Sequence, residues 1–503
     1  MDVITAEDRG VRPPRRRSPV LRSLLAFRLF AALSIALALA ASPAAAQTTN
    51  WTAGTGSWFT PGNWDNGAPS GGTATTNISN GGTSQISGAA TAGASVLVNG
   101  GSTLELQSGS LFSLTGVLTV GANGTLLVSG SSALNIDVNM SGGSFLSTVD
   151  QTYQGNLTVT AGSSATFGAT AGHTLSLSPP GGSLNFNGGA GTTVHFGSAS
   201  NTGTVLLGDG TLTVSGSASA IAVDGGTLKI GAPIASNILD AASQVIVGSG
   251  ATAATLDIAG NATTINNLTG TSAGTVTNSG STIVTTLFNS VNTTFAGAIQ
   301  DGPGSYLMGI SGTGTTLTLT GANTYTGSTL VDNGQTLQIG NGGTTGSIVS
   351  DITLNGAATL GFNRFDDVTY AGVLSSAFAG DGVLTKDGVG KLTLSGNNSG
   401  FSGSARVFRG TLVLANANAL GSANLSFAGD ITALEATTSV TISSNMTVSS
   451  NVSTTFGATA GNTLTLAPVT LSIVGGAGTT LHFGSAADTG VRTAQLQSSP
   501  STA

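Results

Sequence analysis

Catalytic chemistry in this chain would have to come from few side chains, because histidines and carboxylates are scarce. The 503 residues include three histidines, 21 acidic residues and no cysteine. Cutting a glycosidic bond needs two acids at a defined separation. The adjacent pair Asp366 and Asp367 would face opposite sides of a strand. Because Arg364 lies close by, we expect a solvated ion cluster there.

The histidines do not point to a nucleophilic site. A Ser-His-Asp arrangement is recognised by geometry, and the many serines and aspartates leave such a triad open on counting alone. His195 and His482 fall at equivalent positions of a duplicated segment, whereas the counterpart of His173 is Asn462. Repetition at equivalent positions favours an outward structural role, so the sequence predicts no catalytic residue and no enzyme.

Cofactor and nucleic-acid sites lack their usual residues. Without cysteine, a thiolate-ligated zinc or iron–sulfur site is excluded. The phosphate-loop pattern G-K-[ST] fails at Gly390-Lys391-Leu392. The formal net charge is −7, whereas nucleic-acid binding needs a basic face. We therefore predict no metal, no cofactor and no nucleic-acid partner.

Three tryptophans are the best candidates for ligand binding. Trp51, Trp58 and Trp64 are all the tryptophans of the chain, and they fall within residues 47–70. Their aromatic faces suit sugars and other rings. The alternative is an N-terminal cap, because the terminal units of a repeat protein must cover the end of the core. We expect residues 47–70 to be this cap and keep binding as the alternative.

Residues 1–46 have the three parts of a secretory signal. Arginines crowd the first part, an apolar segment runs from Leu29 to Ala41, and small residues lead to a cleavage site between Ala46 and Gln47. The apolar helix is shorter than the roughly 20 residues that a permanent anchor needs. We therefore expect an exported protein that begins at Gln47 after cleavage.

Beyond the leader, short apolar runs alternate with turn residues. Runs such as Ser95–Val98, Thr103–Leu106 and Thr125–Val128 have the length of strands, and glycine, asparagine and serine separate them. Only 7% of the residues are charged, far below the ~25% of ordinary soluble domains. No amphipathic helix follows the leader, so the pattern predicts an all-β chain.

Internal repeats decide among the β architectures. Residues 166–199 recur as 455–486, and residues 294–339 recur more loosely as 369–414. Short strands with a turn after each and no crossover helix predict a right-handed parallel β-helix with an apolar core. A β-sandwich is the competing fold, but it does not explain the repeats.

The predicted solenoid spans residues 71–490. With about 20–25 residues per coil, this length gives roughly 17–21 coils, stacked about 4.7–4.8 Å apart. Residues 491–503 lose the texture of the preceding chain, and we expect them to form an unstructured tail.

The looser repeat carries a spaced motif, G-x-L-x-L-x-G-x-N-x-Y/F-x-G in outline. Its first copy comprises Gly314, Leu317, Leu319, Gly321, Asn323, Tyr325 and Gly327. Its second copy comprises Gly390, Leu392, Leu394, Gly396, Asn398, Phe401 and Gly403. This pattern resembles the autotransporter-associated β-strand repeat, also called the passenger-associated transport repeat. The resemblance implies a β-helical passenger of a Gram-negative autotransporter, exported through the outer membrane.

The same resemblance implies a translocator barrel as the outer-membrane partner. The chain reaches Ala503 without the alternating, aromatic-flanked strands of such a barrel, so we expect a truncated passenger whose translocator is encoded elsewhere. The expected role is a non-enzymatic, adhesin-like stalk that is secreted or on the cell surface, or periplasmic without a translocator, with a surface or carbohydrate ligand. A β-helical polysaccharide hydrolase or lyase, or a carbohydrate-binding module, is the alternative.

Overall fold

The structure is a computed structural model, and it consists of short strands with almost no helix. It describes residues 47–71, 73, 75–132, 134–178, 183–187, 189, 191–208, 211–215, 220–231, 239, 242–312, 314–468, 470–474, 478–484 and 491–494. The signal-peptide helix predicted for residues 1–46 lies outside the described residues. In the described part of the chain, no helix combines the length and apolarity needed to cross a membrane.

The strands begin at Thr48 and continue to the last described residues. In chain order, the first strands and one 3-10 turn are β1 (Thr48–Asn50), β2 (Thr55–Ser57), the 3-10 turn Pro61–Asn63, β3 (Thr75–Ile78), β4 (Thr83–Ile86), β5 (Ala89–Ala92), β6 (Ser95–Val98), β7 (Thr103–Leu106), β8 (Leu111–Leu114), β9 (Val117–Gly121), β10 (Thr125–Val128), β11 (Val138–Ser141), β12 (Ser144–Ser147), β13 (Gln151–Tyr153), β14 (Leu157–Val159), β15 (Ser164–Ala169), β16 (Thr174–Leu177), β17 (Ser183–Asn187), β18 (Thr193–Phe196), β19 (Thr204–Leu207), β20 (Thr211–Ser215), β21 (Ala220–Val223), β22 (Gly226–Ile230), β23 (Gln244–Val247), β24 (Ala254–Asp257), β25 (Thr263–Asn266) and β26 (Gly274–Thr277). The remaining strands are β27 (Ile283–Asn289), β28 (Thr293–Phe295), β29 (Ala298–Ile299), β30 (Tyr306–Gly312), β31 (Thr316–Leu319), β32 (Ala322–Asn323), β33 (Thr329–Val331), β34 (Thr336–Ile339), β35 (Ser347–Ile348), β36 (Ile352–Leu354), β37 (Thr359–Asn363), β38 (Val368–Tyr370), β39 (Leu374–Ser376), β40 (Val383–Asp387), β41 (Lys391–Leu394), β42 (Ser404–Val407), β43 (Gly410–Leu414), β44 (Asn424–Phe427), β45 (Ile431–Ala436), β46 (Val440–Ile442), β47 (Met446–Val448), β48 (Ser453–Ala458), β49 (Thr463–Leu466), β50 (Leu471–Ile473), β51 (Thr480–Phe483) and β52 (Val491–Ala494).

These strands wind into a solenoid with three faces. The first face holds β1-β3-β6-β9-β11-β14-β17-β20, then β25-β27-β30-β33-β36-β39 and β46-β49-β52. The second face holds β2-β4-β7-β10-β12-β15-β18-β21-β23 and then β28-β31-β34-β37-β40-β42-β44-β47-β50. The third face holds β5-β8, β13-β16-β19-β22-β24-β26-β29, β32-β35 and β38-β41-β43-β45-β48-β51.

Parallel pairing in register joins each coil to the next. Within the described residues, all pairings between named strands are parallel, and Thr103 and Leu104 of β7 face Thr125 and Leu126 of β10. The two long sheets of the second face have nine strands each, and single bridges connect them. The number of coils that they make up falls within the predicted 17–21. The parallel β-solenoid is therefore confirmed, while its hand stays a prediction.

The core is a set of apolar columns that run along the solenoid. One column on the second face, which we call the Phe column, passes through Leu126, Phe145, Phe167, Phe196 and Val223, each in register with the next. All five side chains are buried. Alternate residues on the same strands face outward, which is the period-2 pattern of a strand with one buried face.

The predicted tail is wrong for its first four residues. Val491–Ala494 forms β52, which pairs in parallel with Thr463–Leu466. The physical reason is that the preceding coil presents unpaired backbone groups along its edge, and any short extended segment can satisfy them. Residues 495–503 lie outside the described residues.

Removing a ring from the Phe column should weaken the solenoid much more than trimming its surface. We expect Phe167→Ala to cost about 3–5 kcal/mol, because it leaves a cavity between neighbouring buried rings. Thr166→Ala, one residue away on the outward side, should stay within about 0.5 kcal/mol. Urea unfolding of residues 47–503, followed by circular dichroism, measures both free energies of unfolding. Equal losses of stability in the two variants would contradict the packing of Phe167 in the column.

Candidate functional site

The apolar residues of the repeat motif form part of the core in both copies. Leu317 and Leu319 are the inward residues of β31, and Leu392 and Leu394 are the inward residues of β41. All four side chains are buried. The leucine pair of the motif therefore contributes to packing and is not available to a ligand.

The motif asparagines join three successive coils. The Asn398 side chain accepts a hydrogen bond from the backbone N–H of Leu374 at 2.7 Å in the coil before. It donates to the carbonyl of Ala419 at 2.7 Å in the coil after. Asn323 does the same between Ile299 and Ser347. Each buried amide thus satisfies backbone groups that the turn leaves without a strand partner.

The aromatic position of the motif fills the inner side of the same turn. Tyr325 is buried, and its hydroxyl is 2.8 Å from the Thr329 hydroxyl, which is 3.0 Å from that of Ser350. Phe401 takes the equivalent place in the second copy and is also buried. The hydroxyl is therefore optional at this position, whereas the ring is common to both copies.

The closing glycine of the motif is required by the backbone of the previous coil. A Cβ atom at Gly327 would stand 1.5 Å from the Tyr306 carbonyl oxygen, and one at Gly403 would stand 2.1 Å from that of Gly382. No side chain fits at such distances. The other motif glycines also lie in turns between strands: Gly314, Gly321, Gly390 and Gly396.

The second copies of both repeats lie one face further round the coil than the first. In the motif repeat, β31 belongs to the second face and β41 to the third. In the near-verbatim duplication, β15 belongs to the second face and β48 to the third. The same sequence therefore supports either face, because the corner contacts of each copy reach only the coils directly before and after it.

The three tryptophans form one buried cluster at the N-terminal end. Trp64 packs edge-on against Trp51 and Trp58, with ring centroids 4.9 and 5.0 Å apart. The indole N–H of Trp64 donates to the carbonyl of Trp58 at 2.9 Å. Each side chain is at most 4% exposed, so no ring face is open to a sugar. The burial argues against the binding role and agrees with a cap.

The same segment covers the free edge of the first strand. Trp64 bridges Trp51 in antiparallel fashion, and Asp65 N–H donates to the Asn50 carbonyl at 3.1 Å. The Asp65 carboxylate accepts from the backbone and the side-chain amide of Asn50, each at 2.7 Å. These hydrogen bonds lower the pKa of Asp65. An exposed parallel edge is a template for association, and this segment occupies it.

His195 belongs to a polar ladder across three coils and not to a nucleophilic triad. Its Nδ1 atom is 2.5 Å from the Asp224 carboxylate, whose other oxygen accepts from the Ser249 hydroxyl. A triad needs the histidine between serine and carboxylate, whereas here the carboxylate is in the middle. Burial raises the pKa of Asp224, but the hydrogen bonds from His195 and Ser249 outweigh it and lower the value.

The carboxylates of Asp366 and Asp367 make separate contacts and do not converge on a common point. Arg364 donates to both oxygens of Asp366, at 2.8 and 2.9 Å, and to the carbonyl of Gly346. Asp367 accepts from the backbone N–H of Lys391 at 2.8 Å. The expected solvated cluster is wrong in one respect, because Arg364 is 8% exposed. A buried guanidinium holds the loop before it in place.

Lys386 is a buried cation whose burial we did not predict from the sequence. The side chain is 2% exposed, in register between Phe362 and Val407. Its ammonium donates to the carbonyls of Asp387, Gly388 and Arg409 at 3.1, 2.7 and 2.9 Å. Burial lowers its pKa to about 8. Its place as an inward residue in the alternation of β40 was the signal that could have found it.

Neither the ladder nor these ionic contacts supplies a metal centre. Among the residues that the structure describes, no group of three or more histidines and carboxylates is arranged to hold a metal ion.

We expect Asn398→Ala to loosen the solenoid locally. The change leaves a buried N–H and a buried carbonyl without partners, which costs about 1–3 kcal/mol. Hydrogen exchange at the Leu374 amide should accelerate, because that N–H loses its acceptor. Asn397→Ala, at the exposed neighbouring position, serves as the control. An unchanged exchange rate of the Leu374 amide in Asn398→Ala would contradict the role of Asn398 in joining the coils.

The N-terminal segment should open in acid. The pKa of Asp65 is lowered from 3.8 in the folded chain, so its stabilising contribution is complete above pH 3.8 and disappears as pH falls through the lower value. Because all tryptophans lie in this segment, a red shift of their fluorescence reports its opening. An Asp65→Asn control should lack this transition. An identical acid transition in that variant would refute the assignment of the transition to protonation of Asp65.

Comparison with known proteins places the repeats in a recognised group. The sequence model of the passenger-associated transport repeat matches residues 311–339 and 384–414. The chain is also 44% identical over 90 residues to the Adhesin BmaC autotransporter of Brucella suis biovar 1 (strain 1330). The matched stretch covers 18% of this chain and 2% of that adhesin.

No solved structure matches the chain. The motif residues, their contacts in both copies and the parallel solenoid around them agree with the family match. The chain therefore carries two passenger-associated transport repeats, and they lie within a parallel β-solenoid.

Proposed function

We propose that this protein is an exported, non-enzymatic passenger that acts as a stiff, adhesin-like stalk at the bacterial cell surface. The parallel, in-register pairing within the two long sheets of the second face, which single bridges connect, carries the proposal. A column of rungs about 4.7–4.8 Å apart gives a rod of roughly 80–100 Å. Such a rod places a distal surface away from the membrane, which suits adhesion.

The relative supports the adhesive part of the proposal. The protein from Brucella suis is named as an adhesin and an autotransporter, and the matched segment brings that role to this chain as an analogy. The partner that the proposal requires is an outer-membrane translocator. Export begins with the leader, which is removed between Ala46 and Gln47, and the mature chain then reaches the surface or the medium.

The described polar groups support a role without catalysis. The acids at positions 366 and 367 are held by separate partners, and a glycosidase needs two acids directed at one bond. The carboxylate of Asp224 stands between His195 and Ser249, so the histidine does not activate the serine. A polysaccharide-cleaving enzyme therefore becomes an outcome of the test below.

The test compares adhesion with polysaccharide cleavage on one preparation. Beads coated with residues 47–503 should adhere to epithelial cells, and beads coated with heat-denatured protein should not. The same protein should release no reducing ends from a polysaccharide panel. Release of reducing ends by the unchanged protein that disappears in the double variant Asp366→Asn/Asp367→Asn would overturn the non-enzymatic assignment.

The rod is tested independently of the adhesive target. Small-angle X-ray scattering of residues 47–503 should give a thin particle with a maximum dimension of about 80–100 Å or longer. A compact particle with a much shorter maximum dimension would exclude the stalk. If the scattering shows the rod but the coated beads do not adhere, only the adhesive part of the proposal fails.

A further inference from the structure

One corner of the solenoid holds several buried polar groups that have no protein partner. It lies between the first and second faces. The corner includes the turn between β27 and β28 and, in the next coil, the turn between β30 and β31, where the first motif repeat begins. Asn289, Thr293 and Gln335 are at most 7% exposed. Among the described residues, both polar side-chain atoms of Asn289, the Thr293 hydroxyl and the Gln335 Nε2 atom make no hydrogen bond within the protein.

Asn289 and Gln335 belong to the coils on either side of the coil that carries Gly312. Asn289 is in register with Gly312 of the next coil. A Cβ atom at Gly312 would stand 2.0 Å from the Asn289 carbonyl oxygen and 3.0 Å from Gln335 Oε1. The Thr315 hydroxyl is 3.0 Å from that carbonyl oxygen and 3.1 Å from Gln335 Oε1, and both are acceptors for its single hydrogen. Because residue 312 has no side chain, the Asn289 carbonyl oxygen and the Gln335 side chain of the outer two coils border the same space.

The second motif copy shows what fills the equivalent corner. Gly388 corresponds to Gly312 in the repeat, and two residues earlier Lys386 turns its ammonium onto three carbonyls, including that of Gly388. At the corresponding position the first copy has Ile310, which is buried and supplies no donor. The polar groups of the first corner therefore need a donor and acceptor from outside the chain.

The mixture of groups selects the ligand. The amide nitrogens of Asn289 and Gln335 are donors, so they disfavour a cation, while Asn289 Oδ1 is an acceptor and disfavours an anion. The Thr293 hydroxyl can serve either way. An apolar ligand would leave all of these buried groups unpaired at a substantial cost. Water both donates and accepts, and buried waters commonly bond three such groups.

We propose that this corner is a binding site for ordered water, held by Asn289, Thr293 and Gln335. The water takes the role that the Lys386 ammonium has in the second copy. It is part of the folded solenoid, because it pairs groups that the parallel winding has removed from solvent.

A crystal structure of residues 47–503 at a resolution that shows ordered water gives the direct test. We expect density for at least one water within hydrogen-bond distance of two or more of the three side chains. Direct bonds from the Asn289 amide to protein groups, with no water density, would overturn the proposal. A peak with the short, oxygen-only coordination of a metal ion would overturn it too.

A substitution that copies the lysine of the second repeat tests the site in solution. Ile310→Lys brings an ammonium into the first corner and should displace the water, so the number of long-lived internal waters measured by oxygen-17 relaxation dispersion should fall by at least one. Asn397→Lys, at an exposed position, should leave that number unchanged. An unchanged count in a folded Ile310→Lys variant would contradict the proposal, and if that variant does not fold, the crystallographic result decides.

Discussion

Parallel hydrogen bonding between successive coils is the constraint on which the rest of this structure depends. It fixes the distance between coils at about 4.7–4.8 Å, and every turn must then pass within van der Waals contact of the turn before it. The glycine at position 327 exists because a carbonyl of the preceding coil occupies the space of a side chain. The Phe column exists because residues in register stack directly. The constraint therefore selects residues at the corners as strongly as it does in the core.

The corners also have to satisfy backbone groups that the strands leave unpaired. A buried N–H or carbonyl without a partner costs more than an ordinary hydrogen bond contributes, so the chain places a polar side chain wherever a turn leaves such groups. Asn398 supplies an amide, Lys386 supplies an ammonium, and Arg364 supplies a guanidinium. With few charges in the sequence, the buried cations at these two positions serve the interior of the fold.

The fold could be predicted from the sequence because its signals are local. Strand length, period-2 alternation and repeats all survive in a short window, and runs such as Ser95–Val98 agree with the observed strand. Contacts between coils are not local, since they join residues more than 20 positions apart. Burial of Lys386 and Arg364 was therefore missed, and the tryptophan faces were kept as a binding candidate. The four-residue strand β52 was missed because its partner, not its composition, makes it a strand.

The shift of both repeats by one face has a consequence for how such a chain can change length. If a strand and its corner are interchangeable among the three faces, the unit of growth is one third of a turn and not a whole coil. Gain or loss of one unit leaves the apolar columns intact but rotates every downstream outward residue by one face. Two solenoids with equally stable cores can thus display their surface side chains in different directions, and a change in length alters the direction of a surface without any change in its residues.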